Sequence, residues 1–99
     1  MAGWAAGREA ALEVFGYDGN FAAIPYVSAV LLRLDEHLGV RVAAARALGR
    51  IGDRRARSFL ARALRDGEPD VRLASAAALA RIRAAARRPG GVAPGASLP

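Results

Sequence analysis

The chain has 99 residues, no cysteine, 54% hydrophobic residues and a formal net charge of +6. That length bounds it to one small domain or part of a larger one. The lack of cysteine excludes a disulfide framework and thiolate chemistry and suits a reducing, cytoplasmic setting. No run approaches the roughly 18 uncharged apolar residues of a membrane span, and charge arrives at Arg8 and Glu9 before an apolar leader forms, so neither membrane insertion nor a leader is expected.

Helical spacing begins at once. The run from Arg8 to Gly16 puts Ala11, Leu12 and Phe15 on one face, which predicts a helix over about 5–16 with Trp4 covering its open side. Tyr17-Asp18-Gly19-Asn20 supplies turn chemistry. A second helix is predicted over about 22–34. Pro25 sits in its first turn, where a missing N–H costs little, and Ile24, Val27, Val30, Leu31 and Leu34 make its apolar stripe. After the connection Asp35 to Gly39, a third helix is predicted over about 40–51, with Gly52-Asp53 ending it. The fourth, about 54–64, buries Ala56, Phe59, Leu60, Ala63 and Leu64. Asp66-Gly67-Glu68-Pro69-Asp70 is the next turn, and Pro69 opens a fifth helix that extends to Arg87. The run 89–99 is rich in Pro and Gly without periodicity and reads as a disordered tail or linker. No segment has the alternation of a strand.

One block in this series occurs twice. Val40-Arg41-Val42-Ala43-Ala44-Ala45-Arg46-Ala47-Leu48-Gly49-Arg50-Ile51 is echoed by Val71-Arg72-Leu73-Ala74-Ser75-Ala76-Ala77-Ala78-Leu79-Ala80-Arg81-Ile82 at a constant offset of 31 residues. A fixed period of this size is the signature of stacked helical units. With Leu60-x-x-Ala63-Leu64-x-Asp66 between the two blocks, the pattern resembles the HEAT-like repeat of the short variety associated with phycobilisome lyases. Arg8 to Gly16 aligns with Arg41 to Gly49 at an offset of 33 and looks like the second helix of a preceding repeat. The resemblance implies an all-α fold: a short right-handed α-solenoid of about two and a half helical hairpins within residues 1–88. The second repeat lies at about 22–52 and the third at about 54–87.

The same resemblance implies a ladder between stacked repeats. Asp35 and Arg41, then Asp66 and Arg72, recur six residues apart, and Arg8 fits the arginine column. One Arg held between turns satisfies several carbonyls and carboxylates with its five donors. In HEAT-like folds the second helices line the concave face. Stacking them gives the columns Glu9/Val42/Leu73, Glu13/Arg46/Ala77 and Tyr17/Arg50/Arg81. The expected contact residues for a partner are therefore Val42, Arg46, Arg50, Leu73, Ala77 and Arg81. The fold also leaves an unpaired layer at each end, where self-association or docking onto a longer HEAT-like chain is expected.

All fifteen basic residues are arginine. Arginine suits bidentate phosphate contacts, and a lysine-free chain is also what a GC-rich genome produces. Arg54, Arg55, Arg57, Arg62 and Arg65 are expected on a solvated outer face, because no aromatic residues interleave with them as a nucleic-acid stacking platform requires. His37 is the only histidine and is expected as a turn residue at a helix start. One histidine assembles neither a metal site nor a nucleophile–base pair, and no Gly-rich loop follows a strand. No catalytic residue, metal or cofactor is expected. The functional expectation is a non-enzymatic protein-interaction or scaffold module whose partner has an acidic surface. The alternatives are nucleic-acid binding in the basic concavity, or an accessory role in a phycobilin-lyase-like complex.

Overall fold

The fold is a computed structural model that describes residues 3–87, with side chains from Ala5 onward. The expected tail over 89–99 and the Trp4 side chain lie outside the described residues. Helix α1 (Gly3–Asp18) runs two residues beyond the predicted end and gives way at Gly19, where Asn20 N–H still reaches the Phe15 carbonyl at 3.2 Å. A 3-10 turn, Phe21–Ala23, leads directly into α2 (Ile24–Leu32), with Pro25 in its first turn. α2 stops short of the predicted end because Arg33 turns to extended backbone, its N–H taken by the Val30 carbonyl at 3.3 Å. Leu34 therefore lies in the turn at 81% exposure instead of completing the apolar stripe.

Helix α3 (Leu38–Ile51) starts two residues earlier than its apolar pattern suggests. His37 is its N-cap: Nδ1 accepts the Gly39 N–H at 3.2 Å, which satisfies one orphan donor of the first turn. Gly52, at φ 73°, closes α3 in the left-handed conformation and returns its N–H to the Leu48 carbonyl at 3.1 Å. Asp53 then caps a second 3-10 turn, Arg54–Ala56, by accepting the Arg55 N–H at 2.8 Å, and α4 (Arg57–Ala63) follows. Leu64 falls just past α4 and is 39% exposed, against the expectation of burial. Helix α5 (Pro69–Arg87) has the predicted bounds.

The helices form two rows. α1, α3 and α5 stack side by side as an inner row, α2 packs on α3 and α4 packs on α5 as an outer row, and α2 touches α4. There is no strand among the described residues. The core runs between the rows through Leu12, Val27, Leu31, Val40, Leu48, Leu60, Val71 and Ile82, all fully buried. Each is worth about 1.5–3 kcal/mol over leaving it exposed. Ala11, expected on this face, is exposed, and Ala5 and Gly16 take the inward positions with Leu12. The middle helix explains the abundance of alanine. It is covered on both sides, and Ala43, Ala44, Ala45 and Ala47 are buried. Gly49 meets the next helix at its closest point: a Cβ there would sit 2.9 Å from Ala78 Cα. Gly16 occupies the same register position one layer earlier, against Ala47.

Candidate interaction groove

Arginines from the inner row bridge successive layers. Arg41 is 3% exposed and Asp66 5%, and they form a two-pronged ion pair, Nη1 to Oδ2 at 3.1 Å and Nη2 to Oδ1. Arg41 Nε also donates to the Leu31 carbonyl at 3.0 Å, so one guanidinium ties the turn of its own layer to the turn of the next. Arg8 pairs with Glu36 one layer earlier, through Nη2 and Oε1. Arg72 donates to the Asp66 carbonyl at 2.8 Å. These guanidinium hydrogen bonds are the main reason that the Glu36 and Asp66 carboxyls are held below their ordinary pKa values.

Asp35, expected in this ladder, is not part of it. It is exposed and faces Arg33 across 3.3 Å, and Glu36 takes the place. The reason is geometric. Glu36 accepts the His37 N–H at 2.7 Å and Asp66 accepts the Glu68 N–H at 2.9 Å. His37 and Glu68 are the equivalent residues before α3 and α5, so a longer side chain one residue away and a shorter one two residues away reach the same donor.

Across the three inner helices lies an open groove of about 720 Å³. Val42, Arg46 and Arg50 of α3 and Leu73, Ala77 and Arg81 of α5 all line it, so the structure brings the six expected contact residues to one groove. Arg50 stacks over the Tyr17 ring, 4.6 Å from its centroid, a cation–π contact that holds it upright. Among the described residues, Arg46, Arg50 and Arg81 are in no ion pair. Leu73 is 73% exposed on the same surface.

The groove carries carboxylates as well as arginines, with Glu13 in the register column of Arg46. Glu9 and Glu13 of α1 and Asp70 of α5 line it together with Leu38 and Gly39. The Glu9 carboxylate lies against Gly39 at the start of α3, in space that a side chain there would fill, and Asp70 sits in the first turn of α5. Both positions complement the positive helix N-terminus. The signal was present in the repeat register, where Asp70 and Gly39 are equivalent. Elsewhere, Arg54, Arg55, Arg57, Arg62 and Arg65 are exposed on the outer row. Arg55 pairs with Asp53 at 2.8 Å, and its hydrogen bonds pull that carboxyl down to about 2.

The family model for HEAT repeats matches residues 5–88, which is most of the chain. The chain belongs to the HEAT repeat family. A search of the curated proteins finds no match. In HEAT terms, α2–α3 and α4–α5 are helical hairpins and α1 stacks on the first of them as a lone inner helix. HEAT repeats commonly act as protein-interaction scaffolds and are generally non-enzymatic. Among the described residues no three His, Cys, Asp or Glu side chains converge on one point, and no helix is long and apolar enough to cross a membrane.

Proposed function

We propose that this HEAT repeat protein is a non-enzymatic interaction module that binds a protein segment in the groove across its inner helices. The observation that carries the reading is the combination in one groove of three arginines in no ion pair with the exposed Leu73. Arginine and a large apolar side chain together are typical anchors of a protein interface. The groove's two signs of charge favour a partner that sets acidic side chains against Arg46, Arg50 and Arg81 and basic ones against Glu9, Glu13 and Asp70. A nucleic acid is a uniform polyanion, and the carboxylates in the groove disfavour it. Nothing in the groove speaks for an accessory role in a phycobilin-lyase-like complex.

The test is capture of partners from host lysate by the tagged full chain, with and without nuclease, beside an R46E/R50E/R81E variant. These side chains are at the surface, so the variant is expected to fold with an unchanged circular dichroism spectrum. A protein retained in stoichiometric amount after nuclease, and lost with the triple variant, supports the groove. A protein retained equally by both chains removes the groove from the binding site. Nucleic acid recovered by the parent, with all protein lost after nuclease, replaces the reading with a nucleic-acid one.

A further inference from the structure

Arg46, Arg50 and Arg81 differ from the arginines that tie the layers together. Arg41 and Arg72 donate into the turns, and Arg8 pairs with Glu36. The three groove arginines donate no hydrogen bond and join no ion pair among the described residues. Arg46 and Arg50 stand four apart on α3, a like-charge spacing that destabilises a helix. The fold thus carries an electrostatic cost at these positions with no carboxylate to offset it.

The glycines of the inner row place two of the three side by side. Arg50 crosses to the preceding layer over Gly16: a Cβ there would sit 3.4 Å from Arg50 Cδ, and the guanidinium reaches the ring of Tyr17, the next residue. Arg81 repeats the move one layer on. A Cβ at Gly49 would sit 3.5 Å from Arg81 Cδ, and the residue after Gly49 is Arg50. Where one layer sets an arginine beside an aromatic ring, the next sets an arginine beside an arginine. The contact with Tyr17 positions Arg50 without consuming its N–H donors. A carboxylate has two oxygens and is satisfied by a single guanidinium fork. A phosphomonoester has three acceptor oxygens and nearly two negative charges at neutral pH, enough to bridge two forks. Glu9, Glu13 and Asp70 line the same groove and oppose a polyanion that continues past the arginines, whereas a single phosphate on a peptide avoids them. The exposed Leu73 in the groove offers apolar contact to residues flanking that phosphate.

We infer that the groove takes a protein segment carrying a phosphoserine or phosphothreonine, whose phosphate bridges the guanidiniums of Arg50 and Arg81. Arg46, one turn from Arg50, adds a third positive charge. Phosphorylation of the partner then switches binding on. The inference rests on the reading of the groove as the binding site and names the chemistry of its occupant.

The test is capture on the immobilised full chain of a degenerate peptide library with a fixed central phosphoserine, beside the same library with serine or aspartate at that position. Retention of the phosphoserine library is expected. In calorimetric titration a retained peptide should bind about tenfold or more tightly than its serine and aspartate forms. The R50K/R81K variant keeps the charge, loses the forks and should weaken that peptide by about tenfold. Neither side chain has a hydrogen bond or ion pair in the fold, so an unchanged circular dichroism spectrum is expected. No retention of the phosphoserine library overturns the inference, as does parent affinity in R50K/R81K. Equal affinity for the aspartate form, abolished by R46E/R50E/R81E, overturns the phosphate and leaves the groove as the binding site. Phosphopeptide binding that R46E/R50E/R81E retains overturns the groove as well. Inorganic phosphate that competes at the peptide's own concentration would make the free ion the ligand. A single-stranded oligonucleotide that binds more tightly than the peptide would make it a nucleic acid. Either result overturns the assignment to a phosphorylated segment.

Discussion

Arg41 is held by three acceptor atoms, the two Asp66 carboxylate oxygens and the Leu31 carbonyl, at 3% exposure. A buried ion pair of this kind contributes little net stability relative to an apolar pair of the same shape, because desolvation offsets the attraction. Removing one partner is different, since it strands the other charge out of water. Asp66→Ala is therefore expected to destabilise the fold by about 3–5 kcal/mol, and it also deprives the Glu68 N–H of its acceptor. The double change Arg41→Met with Asp66→Leu should recover most of that loss. Urea unfolding followed by circular dichroism checks both, and a double variant no more stable than Asp66→Ala would show that the bridge itself holds the layers together.

At the scale of the element, the inner helices approach one another at glycine. A methyl at Gly49 meets the Ala78 backbone at 2.9 Å, and backbone cannot move without separating α3 from α5. Gly49→Ala is expected to destabilise by about 1–3 kcal/mol through overpacking, despite the better helix propensity of alanine. Gly7 is the control. It lies inside α1, and a methyl on its Cα would have nothing within 4 Å, so Gly7→Ala is expected to stabilise by about 0.5–1 kcal/mol. Thermal unfolding of the two single variants should move in opposite directions. Stabilisation of both would mean that propensity outweighs packing in this stack.

The whole molecule combines a positive net charge with carboxylates committed to structure. Glu36, Asp53 and Asp66 are each held below the ordinary carboxylate range by an arginine, Asp53 to about 2. An unfolded chain takes up protons on these groups near pH 4, and the folded chain takes them up only at lower pH. Their contribution is thus fully present above the unfolded values and is lost as pH falls through the folded ones. The urea midpoint is expected to stay flat from neutral pH to about 5 and to fall below about 4. Asp53→Asn should flatten that fall and lower the neutral plateau. A midpoint indifferent to pH down to about 2 would mean that these pairs add no stability to the stack.

The repeat and its helices were legible from the residues, because burying one side of each helix every turn imposes a pattern that any chain of this architecture must carry. Val40 to Ile51 and its echo fixed the register of the stack, and that register alone set Val42, Arg46, Arg50, Leu73, Ala77 and Arg81 on one surface. Helix ends were less legible, since they turn on single hydrogen bonds: His37 capping α3 early, Arg33 leaving α2 early and exposing Leu34. The ladder partner was missed for a related reason. Asp35 and Glu36 are adjacent carboxylates with equal claim in the sequence, and only the path of the turn decides which one reaches Arg8. The contact of the Glu9 carboxylate with the start of α3 belongs to the tertiary structure alone, because it is set by what lies across the layer and not by neighbours along the chain.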